Sequence, residues 1–98
     1  MVNQGDVINV GGIDAPLLVI SKNTYNDSGA MIVCPIVKKK PKNILNKYIE
    51  TQMIKGYVVC DDMKRLNWKD RGTFNKGTIS STKLFQILDM VSAIIDYV

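Results

Sequence analysis

Between positions 61 and 72 the chain reads Asp61-Asp62-Met63-Lys64-Arg65-Leu66-Asn67-Trp68-Lys69-Asp70-Arg71-Gly72. A carboxylate three residues before an ammonium, followed by two guanidinium groups, a further lysine and the sequence's only tryptophan, is a set able to handle a phosphodiester. A carboxylate here could accept a proton while a neighbouring cation neutralises charge building on a phosphate. The same cations, Lys64, Arg65, Lys69 and Arg71, could grip a phosphate without reacting. A ligand-free account also exists: Asp61 and Asp62 cap a turn, Trp68 sits at the rim of the core, and the charges face water.

The surrounding charge is unevenly placed. From 38 to 76, Lys38, Lys39, Lys40, Lys42, Lys47, Lys55, Lys64, Arg65, Lys69, Arg71 and Lys76 outnumber Glu50, Asp61, Asp62 and Asp70 by seven, whereas the rest of the chain nets −3. Tyr48, Tyr57, Trp68 and Phe74 interleave with those cations. Aromatic faces beside Lys and Arg are the ingredients of single-stranded nucleic-acid binding, and equally of protein-interface anchors. Lys38, Lys39, Lys40, Lys64, Arg65, Trp68, Lys69, Arg71 and Lys76 are therefore the candidate binding residues for RNA or for a protein partner.

With no His and two Cys, zinc sites of the usual kinds are excluded, and no metal or other cofactor is expected. Cys34 and Cys60 lie in apolar runs, MIVCPIV and GYVVCD, where a free thiol behaves as a small hydrophobe. Buried and reduced is the expected state, ahead of a disulfide, and a thiol nucleophile comes last because there is no His to activate one. A 98-residue chain with 46% apolar and 22% charged residues fits one domain spanning 1–98, built on one core. The start MVNQGDVINV has neither a basic leader nor a long apolar run, and no stretch approaches the roughly 20 apolar residues of a membrane span. A cytoplasmic protein is expected.

These residues need a frame. GDVINV, PLLVIS and AMIVCPIV read as strands, with Pro35 marking a bulge or an edge. NTYNDSG supplies turn chemistry for a hairpin between the second and third, and GGIDA joins the first and second tightly. KKKPKNILNKY reads as a loop leading to a short strand around Lys47 to Thr51. GYVVC resumes the strand pattern, MKRLNW alternates without a clean polar face, and two glycines punctuate a turn in RGTFNKGTI, so the middle reads as β with loops. From Thr82, the apolar residues Leu84, Ile87, Leu88, Val91, Ile94, Ile95 and Val98 recur at helical spacing, with Ser80 or Ser81 as N-cap. The expectation is mostly β with a C-terminal helix covering a small, strongly bent sheet or barrel.

In order, GDVINV, PLLVIS, YNDSG, MIVCPIV, GYVVCDDMKRLNWKDRG, KGTIS and the final helix resemble the MazF/PemK family of toxin-antitoxin ribonucleases over nearly the whole chain, most closely from Gly56 to Ile79. The resemblance implies an SH3-like β-barrel, a homodimer, and metal-free cleavage of single-stranded RNA by attack of a ribose 2′-hydroxyl on the adjacent phosphate. It also implies an antitoxin whose acidic tail lies over the RNA site.

The family's catalytic groups are an Arg before the Pro of the second strand and a Thr after V-P-x of the third; here those positions read Ala15 and Val37. A branch that relies on an Arg and an Asp near the GVV segment leaves Asp61 in place, but Val59 at the Arg position; Lys64 follows as a cation without a bidentate fork. The loop closing over RNA is cut to GGIDA. Removing one transition-state interaction commonly costs on the order of 100-fold in rate. The expected function is therefore a MazF/PemK-like protein that has lost ribonuclease activity and binds RNA, a protein or an RNA-protein complex, in the setting of a phage or mobile-element inhibitor of a host nuclease system. The rivals are an active mRNA interferase using Asp61 and Lys64, and a protein-interaction module with no nucleic-acid role.

Overall fold

The computed structural model describes residues 2–95. In chain order the elements are β1 (Asp6–Val10), β2 (Ile13–Val19), α1 (Asn23–Asn26), β3 (Ala30–Val37), β4 (Asn46–Glu50), β5 (Lys55–Val59), β6 (Lys64–Asn67), β7 (Thr73–Thr78) and α2 (Ser81–Ile95). The strands pair antiparallel in the order β4-β5-β3-β2-β1-β7, with β6 also on β3. The result is a curled sheet, a half-barrel, with α2 packed against it.

β3 produces the curl. One edge pairs with β2, and the other serves two strands in turn: β6 from Ala30↔Asn67 to Val33↔Lys64, then β5 at Ile36↔Val58 and Val37↔Tyr57. Pro35 falls in the changeover, where a residue without an N–H interrupts the ladders least. That location, rather than a free edge, accounts for a proline inside a central strand. The β2–β3 connection is likewise more than a hairpin turn, because Asn23–Asn26 wind into one helical turn. β4 begins at Asn46, one residue earlier than the sequence pattern suggests.

Strands buried on both faces explain why the apolar runs do not alternate with polar residues. Val7, Leu18, Ile20, Cys34, Ile36, Ile49, Val58 and Cys60 form one core under Ile87 and Val91 of α2. Their strand neighbours Ile8, Leu17, Val19, Met31 and Val33 build a second core on the other face, against Leu66 and Trp68. Ser80 caps α2, its Oγ accepting the Lys83 N–H at 3.2 Å. Of the apolar stripe, Ile87 and Val91 are fully buried, Leu84, Leu88 and Ile94 are half-buried, and Ile95 is exposed, as is Phe85 beside the stripe. Asp96 and Val98 lie outside the described residues. No helix among the described residues is long and apolar enough to cross a membrane.

The two ends of the strand order meet through a side chain instead of a ladder. Thr51, in the turn after β4, donates its hydroxyl to the Lys76 carbonyl of β7 at 2.7 Å and accepts the Ile54 N–H at 3.0 Å. Gly77, at φ +112°, makes the approach possible: a Cβ there would lie 2.8 Å from Thr51 Cβ.

Candidate nucleic-acid interface

Where β2 begins and β3 ends, a cavity of about 430 Å³ opens between strands, walled by Pro16, Ile36 and Val37 and by Met53 and Ile54 of the β4–β5 turn. Its polar lining is Asn9 of β1, Asp14 of β2, Lys38 just after β3, and Lys55 at the start of β5. These are the strand ends that carry Ala15 and Val37. Val37 thus borders the cavity at the position where the resemblance implies a hydroxyl, and Ala15, between the lining residues Asp14 and Pro16 but not itself a lining residue, stands where it implies a guanidinium.

A carboxylate, a carboxamide and two ammonium groups therefore border an otherwise apolar cavity. Two lysines at one opening favour an anion, and Asp14 adds a proton acceptor. Lys38 belongs to the basic surplus singled out in the sequence; Asp14, Lys55 and Asn9 are not among the candidate binding residues. In the sequence Asp14 falls in GGIDA, which reads as a joint although residues 13–15 open β2, and Lys55 is one of many lysines. The available signal is their adjacency in sequence to the family's framework positions, Pro16 for one and Gly56 for the other.

The cavity continues. Lys38 and Lys55 also line a neighbouring hollow of about 440 Å³ with Gly56, Tyr48 and Tyr57. The same two tyrosines border a third, of about 370 Å³, reaching Lys40, Lys42 and Lys47. Gly56 keeps β5 close to β3, since a Cβ there would meet the Val37 carbonyl oxygen at 2.7 Å. The three hollows form one trough along the β4–β5 hairpin with Lys38, Lys40, Lys42, Lys47 and Lys55 along it.

The opening stretch of the sequence lies elsewhere. Arg65 Nε donates to the Tyr25 hydroxyl at 3.2 Å, Trp68 Nε1 to the Asn26 carbonyl at 2.8 Å, Lys69 Nζ to the Asp27 carbonyl at 3.3 Å, and Arg71 Nη1 to the Gly11 carbonyl at 3.5 Å. Lys69 also stands 5.8 Å over the Trp68 ring. Arg65, Trp68 and Lys69 thus gather at α1, by the β3 end where Ala30 pairs with Asn67, and Arg71 reaches the β1–β2 joint. Val37 is seven residues further along β3, about 23 Å at ~3.3 Å per residue. The basic segment 38–76 is therefore divided between cationic groups at opposite ends of one strand. Trp68 is partly buried against the second core, with its N–H already engaged.

Asp61 accepts a hydrogen bond from Asn43 Nδ2 at 3.4 Å, and Asp62 donates its N–H to the Val59 carbonyl at 3.3 Å, forming the β5–β6 turn. Lys64 lies opposite Val33 on β6. Neither Asp61 nor Lys64 borders the cavity beside Val37. Lys39 is exposed in the loop after β3, and Lys76 is half-buried on β7.

Cys34 and Cys60 are free and fully buried. Burial, then the nearby Cys60 thiol and Asp62 and Asp61 carboxylates, push Cys34 up to about 12. Burial, then Asp61, push Cys60 up to about 11 against the lowering influence of Lys47. Both thiols stay protonated at neutral pH and are poor nucleophiles. Among the described residues no group of three or more His, Cys, Asp or Glu is placed to hold a metal ion.

A family profile described as PemK-like, MazF-like toxin of type II toxin-antitoxin system matches residues 8–95. Among solved structures, the chain is similar to one from a MazE–MazF complex of Deinococcus radiodurans, with TM-score 0.87 and 18% identity over 96% of this chain and 95% of that one. It is similar to MazF from the same organism at TM-score 0.83 and 17% identity, over 96% of each chain. An endoribonuclease in complex with its cognate antitoxin, from a mycobacterial species, gives TM-score 0.81 and 16% identity over 97% and 95%. No curated protein matches in sequence. At these identities the structural likeness speaks for the fold.

Proposed function

Because this chain belongs to the PemK-like, MazF-like toxin family, we propose that it works in the cytoplasm as a single domain that holds single-stranded RNA in the lysine-lined trough without the family's cleavage groups. The observation carrying this reading is Val37 on the cavity wall, with Ala15 between two lining residues, at the positions where the resemblance implies a hydroxyl and a guanidinium. The cations that attract a phosphate persist beside them, so affinity survives the exchange better than rate. A trough of this charge also suits the acidic tail of an antitoxin, and the family resemblance implies a homodimer, for which light scattering should give twice the 11.0 kDa chain mass.

The test is incubation of the purified protein with a long single-stranded RNA in the presence of a chelator, with 5′ ends mapped, alongside RNA affinity measured across a salt series. The expected result is no discrete cutting and a steep loss of affinity as salt rises. A salt-insensitive or absent affinity overturns the reading in favour of a protein-interaction module.

One observation favours a second reading, an active endoribonuclease with a rebuilt site: Asp14, Lys38 and Lys55 border the same cavity. Asp14 would accept the 2′-hydroxyl proton as that oxygen bonds to phosphorus and the P–O5′ bond breaks, one lysine would protonate the departing 5′-oxygen, and the other would neutralise the phosphate. Discrete cuts abolished by Asp14→Asn or Lys55→Gln establish that reading. Cuts abolished instead by Asp61→Asn or Lys64→Ala move the chemistry to the β5–β6 turn.

A further inference from the structure

We infer that Tyr48 and Tyr57, flanked by Lys40, Lys42, Lys47 and Lys55, form a base-stacking platform that holds the RNA strand outside the cavity beside Val37; this rests on the RNA-binding reading above. The two tyrosines are directly opposed across β4 and β5, with ring centroids 5.3 Å apart at 65°. Such an edge-to-face pair holds both rings in place. A ring that is already ordered gives up little freedom when a base settles on it.

Tyr48 is 40% exposed, so its ring is open to a ligand. Its hydroxyl lies 3.5 Å from Glu50 Oε1, at the far end of the side chain, which leaves the ring face free to meet a base. Ile44, 86% exposed on the rim of the third hollow, adds apolar surface beside it.

Charge surrounds the rings on both sides. One adjoining hollow leads to Lys38 and Lys55, the other to Lys40, Lys42 and Lys47. A base on the tyrosines would therefore have cations available to the phosphates before and after it, the combination by which single strands are held without reading sequence. β4 ends the strand order, and lysines on such an edge also deter pairing with another chain's strand. That role makes no use of two aromatic rings standing between the lysines.

The test is fluorescence anisotropy of a labelled short oligouridylate with the full chain at several salt concentrations. Tyr48→Leu and Tyr57→Leu should each weaken binding on the order of tenfold with the salt slope unchanged, while Tyr48→Phe and Tyr57→Phe bind as the parent does. Lys42→Gln with Lys47→Gln should flatten the slope of log affinity against log salt by about 0.7 for each phosphate left without its cation. If the parent binds no oligouridylate, both this platform and the RNA-binding reading fall. If binding persists unchanged in the Leu and Gln variants but disappears in Arg65→Gln/Lys69→Gln/Arg71→Gln, RNA binding stands and the platform is wrong.

Discussion

The Thr51 hydroxyl donates to the Lys76 carbonyl at 2.7 Å, tying the turn after β4 to β7 where no ladder joins them. The same oxygen accepts the N–H groups of Met53 and Ile54, so one side chain both shapes a wall of the cavity beside Val37 and closes the half-barrel. Thr51→Val is expected to cost about 1–2 kcal/mol in urea unfolding, the usual range for stranding partly buried partners, while Thr51→Ser recovers most of it. Gly77→Ala should cost roughly 2–3 kcal/mol, because a Cβ at φ +112° is strained and meets Thr51 at 2.8 Å.

Asn26 is the other fixed point, at the opposite end of β3. Fully buried, its Nδ2 donates to the Val2 and Ser21 carbonyls, its Oδ1 accepts the Ser21 hydroxyl, and its own carbonyl takes the Trp68 indole N–H. Ser21 Oγ in turn accepts the Ile32 N–H at 2.9 Å. Asn26→Ala removes the Nδ2 donor from two carbonyls and the acceptor from the Ser21 hydroxyl in the interior, and a drop of about 3 kcal/mol in thermal or urea unfolding is expected. Asn26→Asp should do no better, since a carboxylate cannot donate to the two carbonyls.

Family and half-barrel were legible because their signals are local and numerous: apolar runs, the YN-turn-G segment, Gly56, the KGT segment and the helical stripe each report one element, although the glycines of RGTFNKGTI read as a turn where Thr73–Thr78 form β7. The division of the basic segment was not legible. Lys38 and Lys69 are near in composition and far apart in space because β3 changes partner between Val33 and Ile36, and a change of partner leaves no periodicity of its own. Asp14 is hard to see for a related reason, since its only distinction is that a strand end from another part of the chain carries Lys55 to the same cavity. Trp68 reads in the sequence either as a stacking surface or as a residue at the rim of the core; what no local pattern encodes is the hydrogen bond, across 42 residues, that commits its N–H to the Asn26 carbonyl.

The two thiols predict how stability responds to alkali. Each ionises later in the folded chain than at its ordinary 9.0, Cys60 at about 11 and Cys34 at about 12. Above about pH 9 the unfolded chain has released protons that the folded chain retains, so their contribution is complete below pH 9 and disappears as pH climbs through 11 and 12. The stability measured by urea unfolding should fall by up to about 1.4 kcal/mol per pH unit for each thiol in that window. Cys34→Ala with Cys60→Ala should flatten the slope, and in the parent both thiols should react with iodoacetamide at the rate of unfolding rather than of free cysteine.

If activity is missing for want of two functional groups and not for want of a frame, returning them should bring it back. Ala15→Arg and Val37→Thr are the changes that test this. Both positions are half-buried, so the new hydroxyl reaches solvent, the guanidinium need not enter a core, and the stability cost should stay within about 1 kcal/mol. The guanidinium introduced by Ala15→Arg adds a cation to strand ends already carrying Lys38 and Lys55, which makes RNA binding by the double variant more salt-dependent than the parent's. Each restored transition-state interaction is commonly worth on the order of 100-fold in rate, so the double variant should cut single-stranded RNA at least about 100-fold faster than the parent, with either single change giving less. RNA bound as tightly as by the parent yet left uncut by the double variant would show that the short joint of Gly11 and Gly12 between β1 and β2, through the positioning it no longer provides, is the deficit instead.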